Sequence, residues 1–196
     1  MNQDRRDRLR DAAVAVLAEA GGRGLTHRAV DAAAAVPTGT AKNYFPTRDA
    51  LLRAVAERCV EQYRAVAASL AGAGSGPADA QQLAALLAGL LRNVAGPGRP
   101  RVLAYLELQT EGTRRPWLAG LLDPIAAADF AAHAQLLRAA GLPAEPERAR
   151  ALTLALHGAI PHLLSGAPAT LTAAGLDDLD RFARTLLAAV CPEETP

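Results

Sequence analysis

Residues 35–45, AVPTGTAKNYF, gather two threonines, a glycine, the only lysine of the chain, an asparagine and two aromatics. Their chemistry is that of nucleic-acid recognition. Thr38 and Thr40 are short, carry donor and acceptor capacity, and have a methyl that packs on the methyl of thymine. Gly39 removes bulk, so backbone can approach a partner closely. Lys42 is a long cation that reaches a guanine edge or a phosphate, and Asn43 pairs with adenine when it faces the bases. Tyr44 either donates a hydroxyl hydrogen bond to phosphate or serves as a core aromatic. Val36 and Phe45 are apolar plugs for a small core.

Such a segment must be held by neighbouring elements. Residues 4–20 predict a first helix, because Leu9, Ala13, Val16, Leu17 and Ala20 recur at three- and four-residue spacing. Gly21 and Gly22 end it. Thr26 caps a second helix over 27–34, with Leu25 before the cap. A third, very short helix is expected over 38–44 and stops at Pro46. Thr47 caps a fourth over 47–69, with Asp49 in its first turn at the positive helix end. Two short helices joined by a tight turn, after a longer first helix, form a helix-turn-helix unit whose third helix enters a major groove.

Beyond this head the Gly-rich stretch AGAGSGPAD, 71–79, is a loop and a candidate boundary. Helices are expected over 79–95, 99–111, 116–140, 145–165 and 175–190. Pro124 leaves the 116–140 segment either kinked or divided in two. Alanine and leucine supply most of the apolar 51% and β-branched residues are few, so the fold class is all-α. Residues 1–70 carry 11 Lys or Arg against 8 Asp or Glu, and residues 71–196 carry 10 against 12. That asymmetry permits a nucleic-acid-facing N-terminal end.

Several classes are expected to be absent. His157 and His162 are five apart, not the three or four that share a helical face. No HExxH, P-loop or nucleophile elbow occurs, so no enzyme, metal site or cofactor is expected. Cys59 and Cys191 fit no metal spacing and are expected as two thiols. No secretory leader and no membrane-length apolar run appear, and a cytoplasmic compartment is the expectation. A helical adaptor without DNA binding would explain the apolar C-terminal half, but not the polar mixture at 37–44.

The run AAVPTGTAKNYFPTRDALL, 34–52, together with LTHRAVDAA, 25–33, carries a family pattern. Residues 9–60 resemble the DNA-binding domain of TetR-type (TetR/AcrR) transcriptional regulators. Gly39, Thr40, Tyr44, Phe45, Thr47, Arg48, Asp49, Leu51 and Leu52 fall in register with that pattern. Ala35 stands where the turn usually has glycine, and Pro37 where it has a Ser or Thr cap. Ala41 replaces a larger apolar residue, and Lys42 a tyrosine. The resemblance implies a helix-turn-helix domain at 1–50 and a ligand-binding and dimerisation domain at 51–196, with the fourth helix joining them. It implies that Thr26, Tyr44 and Arg48 hold phosphates, that Thr38, Thr40 and Lys42 face bases, and that Arg28 joins this set. Asn43 points either to the bases or to the flank.

The resemblance further implies a homodimeric repressor that a small molecule releases from a palindromic operator, with activation or a non-induced role as the alternative. Candidate ligand contacts are Tyr105, Glu107, Gln109, Thr110, Trp117, Phe130, His133 and His157, each of which can instead be ordinary packing. The segment 151–164 is apolar on nearly every side and calls for a second covering. Leu152, Leu156, Ala159, Ile160, Leu163 and Leu164 are therefore expected to meet Leu179, Phe182, Leu186, Leu187 and Val190 at a seam between two copies.

Overall fold

The computed structural model describes residues 3–72 and 76–192. Among them there are ten helices and no strand: α1 Gln3–Gly24, α2 His27–Ala33, α3 Thr40–Tyr44, α4 Arg48–Gly72, α5 Ala80–Ala95, α6 Arg99–Gly112, α7 Pro116–Ala139, α8 Pro146–Ser165, α9 Pro168–Ala173 and α10 Leu179–Val190. Of the loop expected at 71–79, residues 73–75 lie outside the described residues. The chain divides into two compact units, Met1–Ser69 with Pro100–Ile125, and Leu70–Arg99 with Ala126–Pro196. The unit that holds the head thus also takes in α4 and residues 100–125.

In the first unit the apolar stripes of α1 and α4 meet. Leu9, Ala13 and Leu17 are fully buried, as are Leu52, Val55 and Ala56, and Val30, Ala41, Ala104, Leu108 and Leu118 close the same core. Burying one such leucine contributes about 1.5–3 kcal/mol. Polar groups line up α1 and α4 beside this core. Arg10, only 5% exposed, donates to Asp7 at 3.0 Å, to Glu61 at 2.6 Å and to the Ala54 carbonyl at 3.3 Å. Arg58 grips Asp11 through two bonds of 2.7 Å. The Arg10 hydrogen bond holds the Glu61 carboxyl below the usual range, against an opposing push from burial. Removing one partner of the Arg10 group would strand a buried charge.

The second unit is built on α5, α8 and α10. Leu83, Leu87, Ala88, Leu152 and Ala183 are fully buried there, with Leu91, Leu156 and Leu187 nearly so. Asp79 and Asp178 cap α5 and α10, accepting from Gln82 N at 2.8 Å and Arg181 N at 2.9 Å. The Asp178 cap sets the start of the last helix at Leu179, four residues later than expected. Ahead of it, α9 starts at Pro168 and ends before Gly175, whose φ is +70°. Cys59 and Cys191 are both free and buried, and burial pushes the Cys59 thiol up to about 12.

Two backbone positions define the helix-turn-helix unit. Regular α1 geometry breaks at Gly21, with φ +65°. The turn after α2 passes through Ala35 at φ +50°, the left-handed region, where the resemblance expects glycine. A left-handed L-residue costs about 1–2 kcal/mol. Buried Ala34 and part-buried Val36 hold the turn in that shape on either side. Glycine at 35 would remove the strain and give back about 0.5–1 kcal/mol in unfolded-chain entropy. Ala35→Gly is expected to stabilise the protein by roughly 0.5–1 kcal/mol, read as a higher urea midpoint at unchanged slope. A lower midpoint would show that the turn does not strain alanine.

Candidate nucleic-acid interface

The third helix is a single turn, and its buried face decides what the rest presents. Ala41 is 0% and Phe45 2% exposed. At 100° per residue, Asn43 lies almost opposite these two, while Lys42 takes one flank and Thr40 and Tyr44 the other. Lys42, Asn43 and Thr38 are exposed, and Thr40, Tyr44 and Gly39 half-buried. Asn43, left between two orientations by the sequence, therefore points straight out of the head. The helix starts at Thr40 rather than 38, because Gly39 sits at φ +94° and residues 38–39 form a turn. A Cβ on Gly39 would meet nothing within 4 Å, so its need for glycine is conformational and its front is open.

The neighbouring polar groups are partly committed. The Thr40 hydroxyl donates to the Pro37 carbonyl at 2.6 Å, which leaves its lone pairs and methyl for a partner. Thr26 Oγ1 accepts from Ala29 N at 3.1 Å, as a helix cap should. Its own O–H remains to donate outward. Arg48 donates to the carbonyls of Leu25 at 2.9 Å and Gly22 at 2.5 Å, tying the last turn of α1 and the residue after it to the start of α4. Arg28 is exposed on the first turn of α2. His27, the first residue of α2, bonds through Nε2 to the Phe45 carbonyl at 2.5 Å. The structure thus brings Thr26, Arg28, Thr38, Gly39, Thr40, Lys42, Asn43, Tyr44 and Arg48 together within the head, on α2, α3, the turn between them and the start of α4. Arg6, which lies 5.6 Å over the Phe45 ring, adds a cation that the spacing did not single out.

The eight candidate ligand contacts fall into two groups. Tyr105, Glu107, Gln109, Thr110 and Trp117 belong to the first unit, and Phe130, His133 and His157 to the second. Glu107 accepts from Gly22 N at 3.1 Å, and Arg53 lies 4.7 Å over Trp117. Gln109 donates to Tyr105 Oη at 3.1 Å, and Thr110 to the Leu106 carbonyl at 3.1 Å. On α7 and α8, His157 Nε2 meets Asp129 at 2.9 Å, and Phe130 sets its edge to the His157 ring. Thr153 gives its one hydroxyl hydrogen to the Ala149 carbonyl at 2.7 Å, so His133 Nδ1, 2.9 Å away, is the donor in their bond. Phe130 lines a cleft of about 430 Å³, with Ala134, Arg138, Arg150 and Leu154 among its walls.

The leucines expected at a seam divide by face. Leu152, Leu156, Ala159, Leu164 and Leu187 are buried within this one chain. Leu152 and Leu156 belong to the core that α8 shares with α5 and α10, with part-buried Leu163 packed against it, so their surface is already covered. Ile160, Leu163, Leu179, Phe182, Leu186 and Val190 keep partial exposure. The most exposed large apolar side chain is Leu154, at 61%, on the other face of α8.

Among the described residues no helix is long and apolar enough to cross a membrane, and no group of three or more His, Cys, Asp or Glu could hold a metal ion.

A family model described as "Tetracyclin repressor-like, C-terminal domain" matches residues 78–192. No curated protein matches the chain. Among solved structures, a TetR-family member from Streptomyces coelicolor A3 is 33% identical, with 97% of this chain and 99% of that one covered and a TM-score of 0.69. The multidrug binding protein EbrR, complexed with imidazole, is 30% identical, with coverage of 99% and 98% and a TM-score of 0.67. EbrR complexed with ethidium is 31% identical, with coverage of 96% and 99% and a TM-score of 0.66.

The His133 site has a pH signature. Burial lowers the imidazole below its ordinary 6.5, helped by His157 and opposed by Asp129. Below 6.5 the unfolded chain binds a proton that the folded chain resists, so stability falls as pH drops through that window. A urea midpoint lower at pH 5.5 than at pH 7.5 is expected, with a smaller difference in His133→Gln. An equal difference in the variant would show that His133 is not the source.

Proposed function

Because the chain belongs to the TetR family of transcriptional regulators, which are DNA-binding proteins and not enzymes, we propose that it is a homodimeric, cytoplasmic repressor released from a palindromic operator by a small molecule. The observation that carries the reading is the exposed pair Lys42 and Asn43 on a one-turn helix whose opposite face is buried through Ala41 and Phe45, with Thr38 exposed in the turn just before it. A helix so mounted presents a donor-rich ridge to a major groove. Residues 1–50 form the DNA-reading part, and 51–196 the ligand-responsive and dimerising part. Thr26, Arg28 and Arg48 act as phosphate contacts that fix register, and Lys42 and Asn43 as base readers.

The seam between two copies is assigned to the apolar side chains of α8 and α10 that keep partial exposure, Ile160, Leu163, Leu179, Phe182, Leu186 and Val190. The ligand is assigned to a small aromatic class. EbrR, complexed with imidazole in one structure and with ethidium in another, supports that choice, as do the aromatic and polar candidates on α6 and α7.

Selection of bound duplexes from a random pool tests the function. An enriched two-fold symmetric sequence is expected, and no enrichment at low salt would overturn the proposal. With the enriched duplex, Lys42→Ala is expected to shift base preference and to lose about 1–3 kcal/mol of discrimination. If affinity instead falls equally for enriched and scrambled duplexes, and the salt slope drops by about 1, Lys42 is a phosphate contact only.

A further inference from the structure

The N-terminus of α3 has no local cap. Pro37 offers no side-chain oxygen, and Gly39, the residue ahead of the helix, has no side chain. The Thr40 hydroxyl is turned back onto the Pro37 carbonyl. The first amides of the turn are nevertheless satisfied, from another element. Asp31 on α2 is 2% exposed, and its two oxygens each take one backbone N–H, Oδ2 from Gly39 at 2.7 Å and Oδ1 from Ala41 at 2.6 Å. A buried carboxylate persists only when its hydrogen-bonding capacity is met, and here two N–H groups that a helix start leaves orphaned meet it. Ala41 is 0% exposed, so water cannot replace the carboxylate at its N–H.

We propose that Asp31 is a positioning residue for DNA reading: its carboxylate, reaching from α2, sets the orientation of α3 and so the direction in which Thr38, Lys42 and Asn43 face. Two attachment points, two residues apart, fix a rotation that a single cap bond would leave free. A cap from position 37 would bind α3 only to its own turn. Asp31 binds it to α2, whose Thr26 and Arg28 belong to the same proposed surface. The inference rests on the DNA-reading function and names the group that gives it geometry.

The test combines amide exchange in DNA-free protein, followed by NMR, with affinities for the enriched and a scrambled duplex. In Asp31→Ala, amides 39–45 are expected to exchange on the order of tenfold faster or more, while α1 and α4 keep their protection. The ratio of enriched to scrambled affinity should fall by about tenfold. Asp31→Asn keeps one accepting oxygen and should lie between. Pro37→Ser added to Asp31→Ala restores a local cap oxygen and should recover much of the exchange protection but less of the affinity ratio. Unchanged exchange at 39–45 and an unchanged ratio in Asp31→Ala would overturn the proposal. So would uniform loss of protection across the head, with Asp31→Asn native in both measurements, because Asp31 would then serve stability alone. If the wild-type protein binds no duplex, the DNA-reading function falls, while the exchange data still decide whether Asp31 anchors α3.

Discussion

A helix of one turn cannot hold itself in water. Nucleation fixes several residues for a single hydrogen bond, and short isolated helices do not overcome that cost. The segment Thr40–Tyr44 is such a helix, so every part of its placement comes from outside it. Ala41 and Phe45 bury one face, Asp31 binds its first amides, and His27 donates to the Phe45 carbonyl at its end. Both polar anchors come from α2. The third helix is therefore only as well placed as the second.

The second helix is fixed in turn. Thr26 caps it, and the chain leading into it from the last turn of α1 is gripped from two sides. Arg48 donates to the carbonyls of Gly22 and Leu25, and Glu107 accepts from the amide of Gly22. These groups engage the backbone rather than other side chains, so they set the path of that chain whatever its sequence. The Arg10 and Arg58 groups fix α1 against α4, chiefly through side-chain carboxylates. The exposed Arg58 pair contributes little to stability, about 0–1 kcal/mol, and its larger effect is geometric. Leucine burial supplies the stability, and the polar contacts select among the arrangements it allows.

Much of this was legible in the sequence. Spacing located the helices of the head and its buried face, the threonine before α2 announced a cap, and the polar cluster at 37–44 pointed to nucleic acid. What escaped depended on contacts distant in sequence. Asp31 looks like any acid on a helix, because its partners stand eight and ten residues on, beyond a turn whose shape no spacing rule gives. Glu107 drew attention as a candidate ligand contact, since a sequence cannot show that its carboxylate meets the last turn of α1. The segment 151–164 is apolar all round, so periodicity could not separate the stripe that packs on α5 and α10 from the face that bears Leu154. The six-residue α9 falls in the gap left between the helices expected over 145–165 and 175–190, and carried no apolar period to announce it.

The central claim is that α3 and its turn meet the DNA. Amide shift mapping of the labelled protein, titrated with the duplex it enriches, tests this most directly. The account predicts the largest perturbations at Thr38–Tyr44, with a second set at Thr26 and Arg28, and little change along α5 and α10. Largest perturbations on α8 or α10, with residues 38–44 unmoved at saturation, would contradict it.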